Sequence, residues 1–177
     1  MPRRVLLTLL FLLSFLPLRA QRAESSLSYA EVEQLRSSAI VPSDRVLVFV
    51  DFLNMRTKKI DTLLARPRRP GREQDIHDLM EQFTDIADGL ADNLDDYGKR
   101  HRDIRKALPK LLSATERWAT ALKSPAEDPT YSISRKLALE TVSDLREETT
   151  RLIEDQRAWF VAHPPTKEEN HDPIDIR

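Results

Sequence analysis

Seven residues separate each member of the series Ile76, Phe83, Leu90, Tyr97, Ile104, Leu111 and Trp118. A side chain that recurs every seventh position returns to the same helix face after two turns, so this stretch must bury one stripe of an amphipathic helix. Leu79, Met80, Ile86, Ala87, Leu94, Ala107, Leu108 and Leu122 widen the stripe, as in a coiled-coil seam. The phase continues across Gly98 and Pro109, which both lie off the stripe, and residues 99–108 are good helix formers. The spacing therefore predicts one helix over 73–123, kinked near Gly98 and Pro109 and roughly 75 Å long at 1.5 Å per residue. The alternative is a break within 98–109, which gives a compact up-down four-helix bundle.

Two flanks complete the pattern. After Pro42-Ser43-Asp44, where Ser43 or Asp44 is suited to cap, apolar residues at Val46, Phe49, Val50, Leu53, Ile60, Leu63 and Leu64 predict a helix over 44–65. The second flank, 132–162, is expected to bury Ile133, Leu137, Val142, Leu145, Leu152, Ile153, Trp159 and Phe160. Pro-rich turns at Arg66–Arg72 and Ser124–Pro129 separate these flanks from the central stretch. A short helix at 28–38 is expected within the N-terminal segment 21–43, and the polar tail 163–177 reads as disordered. The expectation is an all-α antiparallel bundle with its domain at 44–162. Folding the flanks back brings their free ends to residues 93–101.

Composition narrows the chemistry. The 177 residues include no Cys, which removes disulfide scaffolds, Cys-ligated metals and thiol catalysis. Three Gly leave little room for a phosphate loop or a dinucleotide fold. With 28 basic and 29 acidic residues, the chain has no global attraction to nucleic acid. Met1-Pro2-Arg3-Arg4, the apolar run Val5–Leu16, Pro17 and Ala20 have the layout of a secretory signal peptide, and the run is too short to span a bilayer readily. Residues 1–20 are thus expected to direct export to the periplasm or beyond, leaving no transmembrane helix after cleavage.

Three groups of residues are candidates for function. Asn93, Tyr97, Arg100 and His101 interrupt the apolar stripe where Gln156 should face them, with Asp44 and Arg45 arriving from the first flank. Such a layer either sets helix register or binds a small anion through Arg100 and a titratable His101. Glu73, His77 and Glu81 stand one turn apart and carry the atom types that hold zinc, copper or nickel, within an acidic run that otherwise reads as a solvated face. Val48 and Phe52 fall off the main stripe, and Arg66, Arg68, Arg69 and Arg72 crowd one turn. These six are the candidate interaction residues, the arginines for an anionic envelope surface.

No nucleophile elbow, metalloprotease signature or calcium loop is present in the sequence. The expectation is a non-enzymatic exported helical protein without a cofactor, acting on a protein partner or on copies of itself. The alternative is a small-ligand or metal-ion binding protein.

Overall fold

The computed structural model describes residues 26–164. The expected signal peptide, and the expected tail beyond Pro164, lie outside the described residues. The chain is all-α: α1 Tyr29–Ser37, α2 Pro42–Ala65, α3 Arg72–Lys99, α4 Leu108–Lys123 and α5 Ser132–Ala162, with a 3-10 turn Ser38–Ile40 between α1 and α2. No strand occurs among the described residues.

The four long helices form a bundle in which α2 and α5 each pack against both α3 and α4. Helices α3 and α4, consecutive in sequence, therefore sit across the diagonal, and the loop between them crosses one end. At the centre Phe83 and Trp118 meet edge to face across that diagonal, with ring centroids 5.7 Å apart. Each large side chain closed off around them contributes roughly 1.5–3 kcal/mol of hydrophobic stabilisation. Trp118 also donates its indole N–H to Asn54 Oδ1 at 2.8 Å, which ties α4 to α2.

The expected single helix over 73–123 is corrected: the helix stops at Lys99 and a new one starts at Leu108. The stripe keeps phase because Ile104, wholly buried, plugs the end of the core from within the loop. Pro109 does not kink a helix but stands in the first turn of α4, where its missing N–H has no intrahelical partner to lose. The stop itself is a Schellman motif: the N–H of His101 bonds Gly98 O at 3.2 Å and that of Arg102 bonds Tyr97 O at 2.9 Å. His101 takes the left-handed position, φ 50°, that glycine usually fills. Gly98 serves a different purpose, since a Cβ there would come within 2.9 Å of Leu152 Cδ2. Its hydrogen lets α3 approach α5.

Two further expectations change. Helix α2 begins at Pro42, capped by no side chain, so Ser43 and Asp44 lie inside its first turn. From Tyr131, just before α5, the buried series runs through Arg135, Ala138, Val142, Leu145, Thr149, Leu152 and Gln156 in alternating steps of four and three. Ile133 and Leu137 lie off that series and are 74% and 49% exposed, not buried.

Helix α1 is strapped across α2 and α3. Ser28 and Glu31 form a reciprocal capping box at its start. The Glu31 carboxylate also receives both terminal nitrogens of Arg56 from α2, at 2.5 and 2.9 Å. Arg56 Nε reaches Gln82 Oε1 of α3 at 3.1 Å, and Arg56 Nη2 donates to Ser26 O at 2.7 Å. The Arg56 hydrogen bonds hold the Glu31 carboxyl at about 2, against 4.5 ordinarily. At the other end of α1, Arg45 Nη1 donates to Leu35 O at 2.6 Å.

Candidate functional site

The polar residues expected to form one layer are gathered at the end of the bundle crossed by the α3–α4 loop, and there they divide into three groups. Asn93 Oδ1 accepts from Arg45 Nε at 2.9 Å and from the Tyr97 hydroxyl at 3.4 Å, while its amide donates to Gly89 O. With Arg45 also holding Leu35 O, this cluster locks α1, α2 and α3 together. Burial pushes the Tyr97 phenol up, which keeps it neutral. Gln156 is buried in α5 and splices the loop: its Nε2 donates to Arg102 O at 2.7 Å and its Oε1 accepts from Ile104 N at 3.1 Å. Arg100 is the member that leaves. It lies exposed beside Asp96, 2.8 Å away, and takes no part in a layer.

His101 stacks on Trp159 of α5 with centroids 3.5 Å apart and planes 4° from parallel. His163 covers the other face of the indole at 3.8 Å. Beside this sandwich, Arg105 lies over the Phe160 ring at 4.1 Å and holds Asp103 in a two-point bond. That bond keeps the Asp103 carboxyl below the usual carboxylate range. Ser43 Oγ donates to Asp103 O at 3.2 Å, so the start of α2 borders the loop on the opposite side from α5. The loop is therefore pinned by both neighbours, and around it stand exposed Ile40, Val41 and Val161.

This end joins apolar side chains to cations. Arg100, Arg102, Arg105 and Lys106 face Asp103 alone within the loop, and Arg157 adds a charge from α5. Among the described residues Arg102, Lys106 and Arg157 have no ion-pair partner. A groove of about 620 Å³ runs beside the sandwich, lined by Gly98, Lys99, His101, Gln156 and Trp159 among others. Sequence reasoning found His101, Arg100 and Gln156 but missed Ile40, Val41, Val161 and Arg157, and expected Trp159 and Phe160 to be buried where they are only half-buried. The available signal was the KRHRDIRK segment facing a Trp-Phe-Val run at the end of α5.

The other candidates resolve differently. His77 uses both ring nitrogens, with Ser134 Oγ at 3.1 Å and Glu81 Oε1 at 3.2 Å. Glu73 instead turns to Arg68 and Arg72, at 3.0 and 3.2 Å. Among the described residues no three His, Asp or Glu side chains draw together as a metal site. In the basic turn Arg69 pairs with Asp75 at 2.5 Å, so Arg68, Arg69 and Arg72 all face acids, while Arg66 is exposed. Phe52 is corrected as an interaction residue: it is 1% exposed, one turn from the Arg56 that holds α1 in place. Val48, half-buried, packs on the edge of the core.

Comparison with protein-family models, curated proteins and solved structures gives no match to this chain.

Proposed function

We propose that this chain is a non-enzymatic binding module of the cell envelope, which works by docking the loop end of its bundle onto another surface. The observation that carries this reading is the composition of that end: exposed Val161, Ile40 and Val41 with half-buried Trp159 and Phe160, set among exposed Arg102, Lys106 and Arg157. Exposed apolar groups next to unneutralised charge are what a recognition surface needs, the first for affinity and the second for orientation. The side chains best suited to chemistry support the same reading, because His77, Glu31, Arg56, Asn93 and Gln156 are spent on holding helices and the loop together. The envelope assignment rests on the signal-like segment over 1–20.

Photo-cross-linking in the producing cells tests the proposal. A photoreactive residue at Val161 or Ile40 is expected to give a discrete adduct with a protein, a second copy or a lipid, whereas one at Thr62, near the opposite end, gives none. Adducts from Thr62 with none from Val161 or Ile40 would overturn it.

A further inference from the structure

We infer that the surface met by the loop end is an anionic lipid bilayer, onto which the bundle stands end-on. The inference rests on the docking function proposed above and names its partner.

Three observations lead there. The apolar groups are not one hydrophobic patch shaped for a protein groove but separate protrusions around a rim. Ile40 and Val41 stand before α2, Val161 stands on the last turn of α5, and the loop lies between them. Val161 has the exposed Arg157 one turn before it, and the loop brings the exposed Arg102 and Lys106 to the same rim, an arrangement with which peripheral proteins place apolar groups at the acyl boundary and Lys or Arg among headgroups. Trp159, half-buried between two imidazoles, is of a residue type enriched at membrane interfaces, and Phe160 lies beside it beneath a guanidinium. Charge then fixes the pose. Above the rim, the outer face of α3 carries Asp78, Asp85, Asp88 and Asp92, and the Asp88 carboxyl is pushed up by its burial and by Asp85 and Asp92. An anionic membrane repels that flank and attracts the end, so the bundle meets it tip first. The basic turn at the opposite end has Arg68, Arg69 and Arg72 facing Glu73 and Asp75, which weakens its pull.

Vesicle binding by the full chain tests this, using neutral phosphatidylcholine vesicles and vesicles with about one third phosphatidylglycerol. The apolar run near the N-terminus is common to every variant, so ratios between variants report the tip. Each cation near an anionic leaflet is worth about fivefold in binding. The triple variant Arg102→Glu, Lys106→Glu, Arg157→Glu is therefore expected to bind anionic vesicles roughly 100-fold or more weakly, while Arg66→Glu with Arg69→Glu changes binding little. Lipids brominated in the acyl chain are expected to quench Trp159, read as the signal that a Trp159→Phe variant loses, because Trp118 lies deep in the core.

Equal binding to neutral and anionic vesicles would overturn the inference. So would loss of binding through the Arg66 and Arg69 substitutions alone, or binding without Trp159 quenching. A protein adduct at Val161 in cells, with no lipid adduct and no vesicle binding, keeps the docking function and refutes the lipid.

Discussion

His101 stands in a backbone conformation that a side chain adopts at a cost of roughly 1–2 kcal/mol, and its imidazole recovers part of that against Trp159. The two contributions separate by substitution. His101→Ala keeps the strained backbone and loses the stack, whereas His101→Gly loses the stack and relieves the strain. Urea denaturation is expected to rank the glycine variant about 1 kcal/mol above the alanine variant; the reverse order would mean that the Schellman turn does not form. Gln156 gives a sharper case, since it both donates and accepts within the loop. Gln156→Glu removes the donor to Arg102 O and sets a carboxylate against a carbonyl, which should cost roughly 1–3 kcal/mol at neutral pH. Relative to wild type the deficit should shrink on acidification, when the carboxyl regains a proton to donate. A deficit independent of pH would show that the loop is held by something else. Neither feature was readable from sequence. Histidine is only a weak signal for a left-handed turn, and a buried glutamine announces itself only through the groups it bonds.

At the scale of the helix, the apolar pattern predicted α5 to its ends, where turns and the polar tail bracket it, and α1 to within a residue. It did not predict the break between α3 and α4. Ile104 continues the seven-residue series from a loop, and KRHRDIRK has strong helix formers, so local preference and stripe phase both argued for continuity. What decides is tertiary: breaking the rod lets α4 and α5 close the core, which one long helix would leave half open. The α5 register makes its own prediction. Ile133→Lys should change stability by less than about 0.5 kcal/mol, whereas Ala138→Lys, in the buried series, should prevent folding; a destabilised Ile133 variant would move the register. Helix α1 should release in acid. Folding holds Glu31 at about 2 rather than 4.5, so the pair's contribution of about 3 kcal/mol is complete above pH 4.5 and is lost as pH falls toward 2. Glu31→Gln should undock α1 at neutral pH and flatten that part of the acid profile. Amide exchange across residues 29–37 measures both effects, and an unchanged acid profile in the variant would assign the loss to other carboxylates.

For the whole molecule, the sequence named the polar residues that gather at this end but set them midway along one continuous helix. It read Asn93, Tyr97, Arg100, His101 and Gln156 as one layer because they share a stripe. Once the chain turns at 100–107, they point three ways, and the surface that results depends on Ile40 and Val161, which are far apart in sequence. The basic turn drew notice because its charges are consecutive, yet its neighbours Glu73 and Asp75 answer three of its arginines. At the tip, Arg102 and Lys106 share the KRHRDIRK segment, and Arg157 joins them only on folding. Backbone amide exchange of the full chain, with and without anionic vesicles, tests the central claim most directly. Docking by the tip predicts slowed exchange within 100–107 and 157–163 on adding vesicles, with 66–72 and the outer face of α3 unchanged. Slowed exchange at 66–72 with none at 100–107 would contradict it.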